Sequence, residues 1–134
     1  MLLIPTYVAP SRIEGVGVFA AEEIPPGTLI WRLDPTFDRL LTVEQIAGLS
    51  DVHQTFVERY GYPYPHDPSL IIIELDNGRF MNHSPQPNTR FNDPDAGYTR
   101  VAIPAHEELT CNYAEFDPSF TMLPGRQFVE ADSN

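Results

Sequence analysis

The stretch Arg79-Phe80-Met81-Asn82-His83-Ser84-Pro85-Gln86-Pro87-Asn88 holds the densest polar chemistry in the chain. Asn, His, Ser and Asn interleaved with two prolines are too polar for a strand, and the flanking Phe80 argues against a floppy loop. Such a stretch reads as a rigid, hydrogen-bonding turn whose donors and acceptors can meet a ligand edge. Equally, it reads as a self-capped loop with buried polar side chains.

Working outward, the neighbouring segments alternate between apolar runs and explicit turn chemistry. The turns are Pro25-Pro26-Gly27, Asp76-Asn77-Gly78 and Asp93-Pro94-Asp95-Ala96-Gly97. The runs between them predict strands over Leu2–Val8, Val16–Ala20, Thr28–Leu33, Leu70–Leu75, Tyr98–Ile103 and Glu108–Asn112. One region has helical spacing. Thr42 and Gln45 form a T-x-x-Q capping box, and Ile46, Leu49, His53, Phe56, Val57 and Tyr60 recur on one face beyond it. Ser50 and Asp51 can split that region into two short helices. The expectation is a mainly-β domain with one helical insertion, about 42–68, between two strand-rich halves.

The chain has 134 residues, 14 of them proline, and a formal net charge of -11. All eight basic residues are Arg, and there is no Lys. A chain of this length forms one domain and buries roughly two-thirds of the surface its unfolded form exposes. The acidic balance excludes a general nucleic-acid binder, since phosphate contacts need clustered Lys and Arg. It favours basic, neutral or small-molecule partners. One cysteine, Cys111, excludes a disulfide framework or a multi-Cys zinc cluster, and the four histidines show no metal-ligand spacing. No metal is expected. With no signal-peptide pattern at Met1–Pro5 and no run of roughly 20 apolar residues, a cytoplasmic protein without a membrane segment is expected.

Two further segments carry possible chemistry. Ser11-Arg12-Ile13-Glu14-Gly15-Val16-Gly17-Val18-Phe19-Ala20 holds a G-x-G, which lets the backbone turn tightly and lets a ligand approach the main chain. A plain bulge or turn explains it as well, and it is no Rossmann fingerprint. Glu108-Leu109-Thr110-Cys111-Asn112-Tyr113 reads as a strand ending on a tyrosine, which offers one fixed hydroxyl or simply closes the core edge.

In this order, the three segments resemble the SET domain of protein lysine methyltransferases. The first is similar to the family's opening G-x-G strand pair. Arg79–Asn88 is similar to its R-F-x-N-H-S-x-x-P-N motif, and Glu108–Tyr113 to its E-L-x-x-x-Y motif. The resemblance runs over a core of about residues 11–113, with 114–134 as a closing segment. It implies a fold of short curved sheets (β-clip-like) with a knot-like C-terminal segment. It also implies S-adenosyl-L-methionine as cofactor and a lysine side chain on a protein, expected to be basic, as methyl acceptor.

By resemblance, Gly15, Val16 and Gly17 contact the methionine end of the cofactor, and Asn82 and His83 its adenine and ribose side. Arg79 and Phe80, in the same motif, are further cofactor candidates. Tyr113 is the catalytic candidate, at the channel where the methyl group crosses. Tyr60 and Tyr62, favoured over Tyr64, are candidates for cofactor contact and channel lining respectively. Cys111 stands where relatives often carry Phe or Tyr, so it leaves room for more than one methyl group. Pro85 replaces the cysteine of a zinc-bound tail, and the tail carries no cysteine either, which marks a minimal SET protein. Something else must then close the cofactor site; Phe116 and Phe120 are the candidates, as a stacking lid or as plain packing. The alternative function is a non-catalytic SET-like module that binds a peptide or the cofactor. A homodimer is a further way for so small a domain to complete its groove.

Overall fold

The computed structural model describes residues 1–117. Among the described residues, ten short strands build three small sheets. The first strands are β1 (Thr6–Pro10), β2 (Val16–Ala20), β3 (Leu29–Arg32) and β4 (Asp38–Leu41); β5 (Tyr62–Tyr64) and β6 (Asp67–Glu74) follow the helices. The C-terminal half supplies β7 (Asn82–His83), β8 (Thr89–Asp93), β9 (Ala96–Thr99) and β10 (Glu108–Cys111). One sheet has the order β1-β2-β10-β7, the second β3-β9-β8 and the third β4-β6-β5. The class is mainly β with short sheets, as the sequence predicts. No helix of the described residues is long and apolar enough to cross a membrane.

The helical insertion is two helices, α1 (Val43–Ala47) and α2 (Asp51–Tyr60). The capping box is present: Thr42 Oγ1 accepts the Gln45 N–H at 3.1 Å, and Gln45 Oε1 accepts the Thr42 N–H at 2.8 Å. Ser50 caps α2, so the break falls at the predicted residues. Only Val57 of the two helices is buried, while Val52 is 76% exposed. Propensity and caps therefore hold this segment more than packing does.

Four strands were not foreseen. β5 contains Pro63, which survives because β5 is the edge of its sheet and Pro needs no ladder partner there. β4 (Asp-Arg-Leu-Leu) is recruited by long-range pairing with β6, and the polar β8 by its hairpin with β9. Most instructive is β7. By sequence Asn82 and His83 are too polar for a strand, yet they pair in parallel with Thr110 and Cys111. Their polar side chains are satisfied by neighbours, so polarity costs nothing there. Boundaries also moved: β1 starts at Thr6, with Leu2 bridging Trp31 instead; β6 starts at Asp67 rather than Leu70; and β9 ends at Thr99, with Ile103 bridging Ile24.

The motif 79–88 holds the C-terminal strand in place. β10 lies between β2 and β7, and the loop after β7 reaches across it. Ser84 N–H donates to Cys111 O at 2.9 Å. Asn88 Nδ2 donates to Glu108 O at 2.8 Å, while Asn88 Oδ1 accepts the Thr110 N–H at 2.9 Å. Thr89 Oγ1 donates to Thr110 O at 2.6 Å. Thus the asparagine acts as a backbone surrogate, completing the ladder of a strand whose neighbour has ended. Beneath lies the core of Val18, Ala20, Ile24, Ile30, Trp31, Met81, Ile103, Leu109 and Cys111.

Candidate active site

β10 ends at Cys111, and Tyr113 opens a short 3-10 turn, Tyr113–Glu115, capped by Asn112 Oδ1 on the Ala114 N–H. This turn directs the tyrosine inward. Its hydroxyl donates to Met81 O at 2.6 Å, and its backbone N–H donates to His83 Nδ1 at 3.1 Å. His83 therefore accepts at Nδ1, which leaves the ring proton on Nε2. Burial lowers the His83 pKa and keeps the imidazole neutral. Burial, chiefly, raises the Tyr113 pKa, so the phenol stays protonated.

A pocket of about 260 Å³ opens in front of Tyr113. Its walls include Trp31, Tyr60, Tyr62, Met81, Phe91, Cys111 and Phe116. The aromatic rings are coupled: Tyr62 and Phe116 lie 4.9 Å apart between centroids, Tyr113 and Phe116 5.8 Å, and Trp31 and Phe91 5.8 Å. Four carboxylates, Glu58, Glu74, Asp93 and Asp117, share the lining with two guanidiniums, Arg59 and Arg79. An aromatic cavity with surplus negative charge suits a cation. Burial pushes both the Tyr62 phenol and the Cys111 thiol up, so neither is an anion at neutral pH.

The G-x-G loop is a separate feature. Gly15 has φ +51, a left-handed conformation that favours glycine, and a Cβ there would meet open space. Gly17 is needed for another reason: a Cβ would collide with the Glu108 carboxyl. Asn82 ties this loop to the C-terminal strand, its Nδ2 donating to Glu14 O at 3.2 Å, Val16 O at 3.1 Å and Glu108 Oε1 at 2.9 Å. Ser11 Oγ donates to Glu108 Oε2 at 3.0 Å, closing the network.

Of the residues singled out from sequence, Tyr60, Tyr62, Arg79, Cys111, Tyr113 and Phe116 line one pocket. Phe80 stands just behind it, 5.8 Å from Tyr60 and under the Arg79 guanidinium at 4.4 Å. Gly15, Val16, Gly17, Asn82 and His83 form the adjoining network outside that lining. Tyr64 is apart, edge-on to His66 with ring centroids 5.3 Å apart. Phe120 lies outside the described residues. Sequence reasoning missed Trp31, Met81 and Glu74. Trp31 is the single tryptophan, and Glu74 ends the apolar run Ile71-Ile72-Ile73, both of which are readable signals.

The family model for the SET domain matches residues 15–114, and the chain belongs to that family. No curated protein matches it by sequence. Among solved structures it is similar to a Plasmodium falciparum protein assigned as a histone methyltransferase, at 20% identity and a TM-score of 0.60, covering 84% of this chain and 95% of that one. It is also similar to apo Chaetomium thermophilum Polycomb Repressive Complex 2, at 22% identity and a TM-score of 0.64, covering 87% of this chain. The chain spans 16% of that Polycomb chain's length. At these identities the likeness is one of fold.

Proposed function

We propose that this SET domain transfers methyl groups from S-adenosyl-L-methionine to lysine side chains of a protein substrate. The observation that carries the reading is Tyr113, its hydroxyl tied to Met81 O at 2.6 Å on the wall of an aromatic, acid-lined pocket. The residues present fit the cofactor. Gly15 leaves its backbone accessible, aromatic rings at Tyr60, Phe80 and Phe116 offer stacking faces, and Arg79 Nε is a buried donor without a partner. These residues, with Val16, Gly17, Asn82 and His83 beside them, would hold it. When bound, the cofactor supplies an electrophilic methyl group on a sulfonium.

The protein's own work is alignment and desolvation. A lysine amine attacks only when neutral, and in water its pKa is near 10.4. At the point of attack, apolar burial and the positive charge the cofactor would carry both disfavour the charged amine, so no strong base is required. The Tyr113 hydroxyl and the Met81 carbonyl form a fixed polar edge that orients the incoming group, and such alignment can lower a barrier by several kcal/mol. A net charge of -11 attracts a basic protein substrate and raises the encounter rate more than the affinity.

The test is transfer of labelled methyl from the cofactor to a panel of basic proteins, beside calorimetric titration of the cofactor. Labelled lysine on one of the proteins supports the reading. Cofactor binding without transfer to any basic protein would instead support a non-catalytic binding module, and no cofactor binding would defeat the methyltransferase reading and leave a peptide-binding module.

A further inference from the structure

Glu74 is the last residue of β6 and is only 8% exposed, yet it lines the pocket beside Tyr62, Cys111 and Tyr113. No turn or cap uses its carboxylate. Around it stand Asp38 on β4 and Asp76 in the following turn, whose carboxylate oxygens come within 4.8 Å of those of Glu74. Those two are already engaged. Asp38 Oδ2 accepts the Met1 amine at 2.8 Å and the Asp34 N–H at 2.7 Å, and Asp76 Oδ2 accepts the Leu2 N–H at 2.7 Å. Of the trio, only Glu74 lines the cavity. Its charge acts on Tyr62, Cys111 and Tyr113 from within that cavity.

We propose that Glu74 is the residue by which this pocket selects a positively charged amine over neutral side chains. The inference rests on reading the part of the pocket lined by Tyr62, Cys111 and Tyr113 as the lysine-binding channel. Aromatic walls alone accept any long apolar side chain, whereas a buried carboxylate among them rewards only a cation. Mono- and dimethylammonium groups keep their charge, so the same carboxylate also holds partly methylated side chains. The small Cys111 nearby leaves them room.

Glu74 is buried, which pushes its pKa up to about 7; the Met1 amine opposes this, and the Asp38 and Asp76 charges add to it. The other titratable groups facing it, Tyr62, Cys111 and Tyr113, are all raised and neutral in the working range. The guanidiniums of Arg59 and Arg79 also stand on the lining. Amine binding therefore strengthens as Glu74 ionises.

The probe is n-butylammonium, with n-pentanol as its neutral counterpart. Trp31 is the single tryptophan and lines the pocket, so its fluorescence reports occupancy. At pH 8 butylammonium should give a saturable change that pentanol does not. Its affinity should fall at least tenfold at pH 5.5 in the native protein and at least tenfold in Glu74→Gln at pH 8. Equal affinity across that pH range, equal binding of pentanol, or an unchanged Glu74→Gln would each overturn the proposal. The native pH series and the alcohol control need no variant, so a poorly folded Glu74→Gln does not protect the idea. Amine selection without methyl transfer would leave Glu74 assigned and defeat the proposed activity. Transfer without amine selection would do the reverse.

Discussion

Tyr113 and Cys111 sit two residues apart, and each makes a separate prediction. Tyr113→Phe keeps the ring against His83 and Phe116 but removes the hydroxyl from Met81 O. The lost hydrogen bond costs about 1 kcal/mol of stability, and methyl transfer should drop roughly 100-fold. Turnover within threefold of native would show that Tyr113 only packs. Cys111 is buried beside the pocket and leaves it unfilled. If the proposed activity holds, mass spectrometry should therefore find di- or trimethylated product from the native protein. Cys111→Phe, if tolerated, should shift the product toward monomethyl. Gly17→Ala drives a methyl group into the Glu108 carboxyl and should destabilise by about 1–3 kcal/mol in urea unfolding. These roles were partly legible beforehand. Gly17 could be quoted as part of a G-x-G, but its reason, the approach of a carboxylate 91 positions later in the chain, belongs to the fold alone.

Among the elements, α1 and α2 were legible because their signals are local. Thr42 and Gln45 satisfy each other across three residues, and Ser50 caps the next turn. With no residue of α1 buried, little else compensates when the cap is lost. Thr42→Ala should cost about 1 kcal/mol, seen as a lower urea midpoint at an unchanged slope. The strands divide by the same logic. β2 and β10 read correctly because apolar residues at Val18, Ala20, Leu109 and Cys111 alternate with exposed or half-exposed ones or follow one another into the core. β7 did not, because its two residues become a strand only when β10 arrives from 28 positions downstream. The pairing partner, not the side chains, makes that strand.

For the whole molecule, the buried Glu74 makes stability depend on pH. Its carboxyl titrates near 4.5 when exposed and about 7 when folded, so the folded state binds an extra proton between those values. Stability from this group is greatest at the acid end and is lost as pH rises from about 4.5 to about 7. His83 works in the opposite direction, because burial favours its neutral form and stability is lost as pH falls through its titration. The difference between native and Glu74→Gln isolates the carboxylate. Denaturant unfolding should show Glu74→Gln gaining on the native protein, by on the order of 1–3 kcal/mol, between pH 5 and pH 7.5. A constant difference across that range would refute the buried-carboxyl account.

The chain's own chemistry determined the family, the mainly-β class, the helical insertion and its caps, and the identity of Tyr113 and the motif asparagines. All of these rest on residue type at short spacing, which survives without coordinates. Tertiary structure alone decided that Tyr60, Tyr62, Arg79, Cys111, Tyr113 and Phe116 share one pocket while Gly15, Gly17, Asn82 and His83 knit the network beside it. It alone also brought Trp31 and Glu74 to that pocket. The reason is distance along the chain. Trp31, Glu74 and Tyr113 are about 40 residues apart from one to the next, and long-range sheet pairing, which no local pattern encodes, brings them to one wall.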